Sequence, residues 1–354
     1  MAAPHAIGTR GSAGDEILRM EGIVKRFAGA TALDGVDFTV RRGEVHALVG
    51  ENGAGKSTLI KIMTGAYHRD EGRLFLEGEP VNFDTPADAQ AAGVIAVHQE
   101  IHLLSHRTVA ENIFLGREPL RWGLFLDWGR MRADTGQVLE SLGLRIDPGA
   151  TLGALSTAQQ QMVAIARGVS LGAKVLVLDE PTSSLAEREV SILYDLIRQL
   201  QAQGTAIVYI SHRFDELYEV CDRVTVLRDG KLVGTHRLAE LERLDLVCLM
   251  LGKPREALRE GTTGFAGYLP EAESAVPLLR AEGLRRGQKL RGVSLDVRKG
   301  EILGLAGLLG SGRTETARAI FGADPPDEGA IQLGGKRIDP RTPDDAIDAG
   351  IAFV

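Results

Sequence analysis

Few backbone arrangements can accommodate the stretch from Val45 to Met63. An apolar run, Val45-His46-Ala47-Leu48-Val49, leads into Gly50-Glu51-Asn52-Gly53-Ala54-Gly55-Lys56-Ser57 and then into Thr58-Leu59-Ile60-Lys61-Ile62-Met63. The first segment suits a strand buried on both faces, and the last is helical in pattern. The eight residues between them fit G-x-x-x-x-G-K-[ST]. Glycines there let backbone amides turn inward and approach an anion closely. The helix that begins at the same point aims its positive end at that anion. On this reading Lys56 reaches the outer phosphates of a nucleotide and the Ser57 hydroxyl holds Mg²⁺. Gly50, Glu51, Asn52, Gly53, Ala54, Gly55, Lys56, Ser57 and Thr58 are the candidate phosphate-binding residues.

Strands and helices go on alternating downstream. Residues 94–97, 174–178 and 206–210 are further apolar runs suited to buried strands. Residues 185–203 have helical spacing, with Ile192, Leu193, Leu196, Ile197 and Leu200 as the apolar stripe. The alternation implies an α/β fold with a mostly parallel sheet covered on both faces. The run Val175-Leu176-Val177-Leu178 ends in Asp179-Glu180. Beside a phosphate loop, Asp179 is placed to hold Mg²⁺ and Glu180 to polarise an attacking water as general base. His212, after Tyr209-Ile210-Ser211, closes another strand, where it can contact a γ-phosphate or orient the water. Gln99, at a third strand end, offers a neutral amide suited to sensing Mg²⁺ or water.

An internal repeat is visible. Gly43, Gly50, Gly55, Gly65, Gly72, Thr85-Pro86 and Gly93 recur as Gly300, Gly307, Gly312, Gly322, Gly329, Thr342-Pro343 and Gly350, at a constant separation of 257 (300 − 43). Val354 corresponds to first-copy position 97, so the second copy is expected to stop less than halfway. Such a copy should expose a sheet edge and apolar surface. The expected organisation is a loose tail over 1–15, a first domain over 16–251, a linker over 252–277 and a partial second copy over 278–354.

A formal charge of −7 argues against nucleic acid as a partner. The two cysteines, Cys221 and Cys248, have no metal or redox spacing and read as reduced thiols. No stretch approaches the roughly 20 apolar residues of a membrane span, and residues 1–15 lack the apolar core of a signal peptide.

Taken together, these residues resemble the ATP-binding cassette family, in which the phosphate loop, Gln99, a signature segment, Asp179-Glu180 and His212 occur in this order. The signature position is Leu155-Ser156-Thr157-Ala158-Gln159, with Thr157 and Ala158 where the family commonly has two glycines. The resemblance implies a P-loop NTPase cassette with a mostly parallel sheet, an antiparallel β subdomain and a helical subdomain at about 100–168 that docks a membrane permease. It also implies ATP and Mg²⁺ as cofactors and Phe27 as the platform on which adenine stacks. Ser156 and Gln159 would address the γ-phosphate held by a partner cassette. The turn Ser183-Ser184-Leu185-Ala186 lacks the family's usual final Asp.

Three details narrow the resemblance to monosaccharide importers. They are the run from Leu155 to Met162, the run Ile210-Ser211-His212-Arg213-Phe214-Asp215-Glu216, and a tandem copy whose phosphate loop carries Arg313 in place of lysine. A forked guanidinium does not simply replace a point-charge ammonium in a tight cradle. That resemblance implies an ATPase peripheral to the cytoplasmic face of a bacterial inner membrane. It would serve a transmembrane sugar permease and, indirectly, a periplasmic or extracellular sugar-binding protein, and pair with a second cassette or with itself. The alternatives are a nucleotide-binding regulatory fragment without turnover and a soluble cassette ATPase acting on ribosomes or DNA.

Overall fold

The computed structural model describes residues 16–97, 103–183, 185–255, 277–287, 289–307 and 311–353. The tail over 1–15, Gln99, Ser184, Leu308-Leu309-Gly310 and most of the 252–277 segment lie outside the described residues. The chain divides into two compact units, 1–259 and 260–354.

In the first unit, strands β1 (Glu16–Phe27) and β2 (Ala30–Arg41) form an antiparallel hairpin in which Leu18 faces Val40 and Met20 faces Phe38. A later hairpin, β4 (Glu71–Leu76) and β5 (Glu79–Val81), joins through β1 to give the sheet order β2-β1-β4-β5. The central strand β3 (Val45–Val49) belongs to a second sheet with β6 (Val94–Val97), β9 (Val175–Asp179), β10 (Ala206–Ile210), β11 (Arg223–Arg228) and β12 (Lys231–Arg237). Its order is β12-β11-β3-β10-β9-β6, parallel throughout except for the edge strand β12.

The uniformly apolar strands sort their side chains by the two-residue period of the pleat. Val45, Ala47, Val49, Leu176, Leu178, Ile207 and Tyr209 share one core with Met162, Val163, Ile165 and Ala166 of α5 (Thr157–Ser170) and the stripe of α6 (Glu187–Ala202). Leu48, Val175, Val177, Ala206 and Val208 face the other way, onto α1 (Lys56–Met63) and the antiparallel sheet. His46 is buried within β3, its Nε2 2.7 Å from Thr225 Oγ1 and its Nδ1 3.2 Å from Glu44 Oε1. Burial pushes its pKa down, against the pull of Glu44.

The α6 stripe differs from the expected one by a single residue. Leu193, Leu196, Ile197 and Leu200 are fully buried, whereas Ile192 is 53% exposed. Ile192 precedes Leu193 and is turned about 100° from it, which carries it past the edge of the buried stripe.

Helix α2 (Pro86–Ala92) leads into β6. Between β6 and β9 come α3 (Val109–Ile113), a short hairpin of β7 (Leu120–Arg121) and β8 (Phe125–Leu126), α4 (Trp128–Ser141) and α5. After β10, α7 (Phe214–Val220) packs near the sheet, and α8 (Arg243–Leu251) follows β12.

The second unit repeats the antiparallel part. Strands β13 (Leu279–Arg286), β14 (Leu290–Val297), β15 (Glu328–Leu333) and β16 (Lys336–Ile338) are ordered β14-β13-β15-β16. Helices Arg313–Ile320 and Pro343–Asp348 accompany them over a small core of Ala281, Leu284, Leu290, Ala319, Ile320 and Ile331. Residues 302–306, the counterpart of β3, are not in a strand, and Ile302 is 95% exposed. What this unit presents there is an unpaired apolar run, and its four-stranded sheet ends in the edge strands β14 and β16.

Candidate functional site

The parallel strands converge on one cleft. In chain order β3 comes first, yet it lies between β10 and β11, so the direction of winding reverses beside it. Ligands of open α/β sheets bind at the carboxyl ends of strands at such a reversal. A cleft of about 1180 Å³ opens there, lined by the whole of Gly50 to Thr58 together with Asp179, Glu180 and His212.

The loop's shape is dictated by two close approaches. A Cβ on Gly50 would sit 2.2 Å from the Leu227 carbonyl oxygen, and one on Gly55 would sit 2.7 Å from that of Ala32. Gly55 also adopts a φ of 100° as it caps α1, a conformation that disfavours side chains. The cap makes no side-chain hydrogen bond, so the first turn of α1 opens onto the cleft with its amide dipoles unopposed by a capping oxygen. Lys56 donates from Nζ to the carbonyls of Gly50 (2.7 Å) and Glu51 (3.0 Å). Half-burial lowers its pKa, and the carboxylates of Glu180 and Asp179 oppose that shift. Ser57 is exposed to the cleft.

Asp179 ends β9, and Glu180 follows with a φ of 48°, in the left-handed region. That conformation costs a non-glycine residue roughly 1–2 kcal/mol. It is held by a hydrogen bond from the Glu180 amide to the Ile210 carbonyl, 2.9 Å away on β10. The same strand delivers His212, whose Nδ1 lies 2.9 Å from Glu180 Oε1. The acid and the imidazole are in contact, although they are far apart in sequence.

Beneath them lies a carboxylate to which the sequence reading gave no role. Glu216 is 2% exposed and accepts from Thr182 Oγ1 (2.7 Å), Tyr209 OH (3.0 Å) and Ser211 Oγ (3.0 Å), with Arg213 paired at 2.8 Å. Burial and the facing carboxylate push the Tyr209 phenol upward in pKa. Thr182 lies two residues after Glu180 and Ser211 directly before His212, so Glu216 ties the two loops to each other. The available signal was spacing: Ser211 stands just before α7 and Glu216 lies in its first turn.

Other candidates lie elsewhere. Phe27 is 43% exposed, edge-on to Tyr67 at 5.5 Å between ring centroids, and is not among the cleft-lining residues. Ser156 caps α5 by accepting from the Gln159 amide (3.3 Å), while Gln159 Oε1 accepts from the Ser156 amide (3.1 Å). Neither lines the cleft. Among the described residues no three His, Cys, Asp or Glu side chains are grouped so as to hold a metal ion by themselves. Mg²⁺ does not need one, because it commonly takes one or two protein oxygens and completes its shell with phosphate and water. The Ser57 hydroxyl and Asp179 carboxylate are hard oxygen donors on the same cleft, which fits that demand.

A phosphate loop after a central parallel strand, a histidine after the neighbouring strand and acids at the end of the next define a P-loop nucleotide-binding domain of the cassette type. The sequence matches the ABC transporter family over residues 33–183 and 290–354, and the chain belongs to that family. It is 48% identical to the putative ribose/galactose/methyl galactoside import ATP-binding protein 1 of Burkholderia ambifaria, over 96% of this chain and 64% of that protein. It is 49% identical to a protein of the same description, number 3, from Burkholderia cenocepacia, over 97% and 65%. Ribose import ATP-binding protein RbsA 3 of Rubrobacter xylanophilus is 46% identical over 96% and 67%. The chain thus spans about two thirds of the length of these relatives. Among solved structures, a nucleotide-free ATP-binding cassette from an ABC transporter superposes with a TM-score of 0.58 at 30% identity, over 68% of this chain and 96% of that one. A cassette in its ADP conformation gives 0.57 at 30% identity, over 67% and 99%.

Proposed function

We propose that this chain binds ATP with Mg²⁺ in the cleft above β3, β9 and β10, hydrolyses it, and so powers import of a monosaccharide through a membrane permease. The observation that supports this most is that Lys56, Asp179, Glu180 and His212 line one cleft, with Glu180 and His212 in contact at 2.9 Å. The loop amides and Lys56 hold the phosphates. Ser57, Asp179 and Gln99 are the residues to hold Mg²⁺, which when bound offsets phosphate charge. Glu180 accepts a proton from water as its oxygen bonds to the γ-phosphorus and the bond to the ADP oxygen breaks, releasing phosphate. His212 fixes the Glu180 carboxylate and faces the γ-phosphate. Phe27 stacks on adenine.

Ser156 and Gln159 sit away from this cleft, which suits a role toward the nucleotide of a paired cassette, either a second cassette or another copy. By the names of its relatives, the sugar is of the ribose or galactose kind. The partner is a transmembrane permease, fed by a periplasmic or extracellular sugar-binding protein, and the chain works peripherally at the cytoplasmic face of the bacterial inner membrane. Among the described residues no helix is long and apolar enough to cross a membrane.

Glu180→Gln tests the reading. Turnover should fall about 10²- to 10⁴-fold, the range for loss of a general base, with affinity for Mg-ATP retained. Unchanged turnover would remove Glu180 from the chemistry, and an unaltered chain with no affinity for Mg-ATP would remove the proposal altogether.

A further inference from the structure

Among the described residues of the first unit, exposed large apolar side chains are most densely clustered along the chain at the hairpin β7–β8. Leu120 pairs with Leu126 and Arg121 with Phe125 around a three-residue turn, Trp122-Gly123-Leu124. Trp122 is 79% exposed, Leu124 82% and Phe125 65%; Leu120, Leu126 and the adjoining Trp128 are exposed as well. Six large apolar side chains within nine residues are displayed to solvent. Scattered surface leucines need no explanation, but a contiguous patch of this kind marks an interaction site.

The hairpin is held in shape. The Asp127 amide donates to the Pro119 carbonyl at 2.8 Å, and the Asp127 carboxylate caps α4 by accepting from the Arg130 amide at 3.0 Å. Helix α4 is anchored in turn by buried Met131 and Leu139. Trp122 has a φ of 53°, a conformation unusual for a bulky residue, and is nevertheless turned outward.

Its charge runs against that of the molecule. The chain carries −7, yet residues 120–132 hold three arginines and one aspartate. The Arg121 guanidinium lies 4.7 Å from the Trp122 ring centroid. Arg132 is exposed and stands four residues after Trp128, on the same face of α4. The one aspartate is engaged in the helix cap, and Asp134, just beyond, pairs with Arg130 at 3.4 Å.

We infer that this hairpin is an interfacial anchor that inserts into an anionic phospholipid surface. Tryptophan, with an apolar body and a polar N–H, is favoured where hydrocarbon meets headgroup, and arginine beside it pairs with lipid phosphate. The hairpin displays exposed apolar side chains on both strands and across the turn. A deformable lipid interface can surround such a shape, whereas a flat protein surface would leave part of it wet. The inference stands apart from the nucleotide cleft and does not depend on turnover.

The chain reports on its own hairpin, because its two tryptophans are Trp122 and Trp128. The full chain is mixed with vesicles of phosphatidylcholine containing phosphatidylglycerol, and with vesicles of phosphatidylcholine alone. With the anionic vesicles tryptophan emission should shift to the blue and the protein should sediment with the lipid. The double variant Leu124→Ser, Phe125→Ser, which keeps both tryptophans, should lose both effects while its far-ultraviolet circular dichroism is unchanged. Arg121→Gln and Arg132→Gln should each weaken partitioning about fivefold. No shift with anionic vesicles, or equal partitioning onto neutral ones, overturns the inference. A blue shift that grows with protein concentration in the absence of lipid assigns the hairpin to a second copy and overturns it too. So does a shift elicited only by purified permease in detergent.

Discussion

The two copies of the repeat share a backbone and differ in what surrounds it. Gly65 and Gly322 have φ values of 72° and 73°, Gly50 and Gly307 of 155° and 159°, and Gly93 and Gly350 of 94° and 96°. A Cβ on Gly65 would meet the Thr85 carbonyl oxygen at 2.4 Å, and one on Gly322 would meet that of Thr342 at 2.5 Å. Both copies form the same four-stranded antiparallel sheet. They part at the strand before the loop: Val45 to Val49 are all buried in β3, while residues 302–306 are unpaired. An antiparallel hairpin finds its partner across a short turn, but a parallel strand needs one delivered by a crossover. The partners of β3 are β10 and β11, both far downstream. Each copy holds every partner of its antiparallel sheet within about sixty residues, whereas the partners of β3 lie more than a hundred residues beyond it.

The sharpest way to break this comparison is by core deletion. Ile207→Ala, on β10 and fully buried, should destabilise the first unit by about 2–5 kcal/mol. Leu303→Ala, at a position 40% exposed, should change stability by only about 0.5 kcal/mol or less. Urea unfolding followed by circular dichroism, with tryptophan emission reporting on the first unit, separates the two. An equal cost for both would mean that residues 302–306 are packed after all.

Charge sharpens the contrast next. Lys56→Ala removes a charged hydrogen-bond donor from the first loop and should weaken Mg-ATP binding roughly 10- to 100-fold, the equivalent of about 1.5–3 kcal/mol. Arg313→Ala, in the second loop, should leave that affinity unchanged. Isothermal titration of both variants decides it, and equal losses would show that the second loop shares in the first site.

A smaller effect is expected at Glu216, which joins loops that only distant strands bring together. Glu216→Gln keeps the shape but loses charge-assisted bonds. Turnover should drop about tenfold, on the order of one such hydrogen bond, with KM for ATP little changed. Thermal unfolding should show the variant folded at the assay temperature. A rise in KM without a fall in kcat would place Glu216 in nucleotide binding and not in aligning Glu180 with His212.

Much of the first unit was legible because its signals are local. The loop and α1 announce themselves in eight glycine-rich residues and a helical run, and β9 and β10 in short apolar stretches ended by Asp179-Glu180 and Ser211-His212. Less local features were not. Ile192 is apolar and near the stripe, and only the packed sheet shows that it has turned into solvent. Glu216 looks like one more surface acid on a short helix until Thr182, Tyr209 and Ser211 are seen to donate to it. The failure of 302–306 to form a strand lies outside any window of sequence, since it depends on which neighbours are there to pair.

The placement of β3 between β10 and β11 also sets an order in time. The phosphate loop leaves the ribosome early, but Asp179, His212 and the strand that flanks its far side, β11 (Arg223–Arg228), follow much later. At about 5–20 residues per second the loop waits on the order of ten seconds for those walls. During that interval the glycine-rich turn can close on nothing, so nucleotide capture by a nascent chain would report that synthesis has passed residue 228.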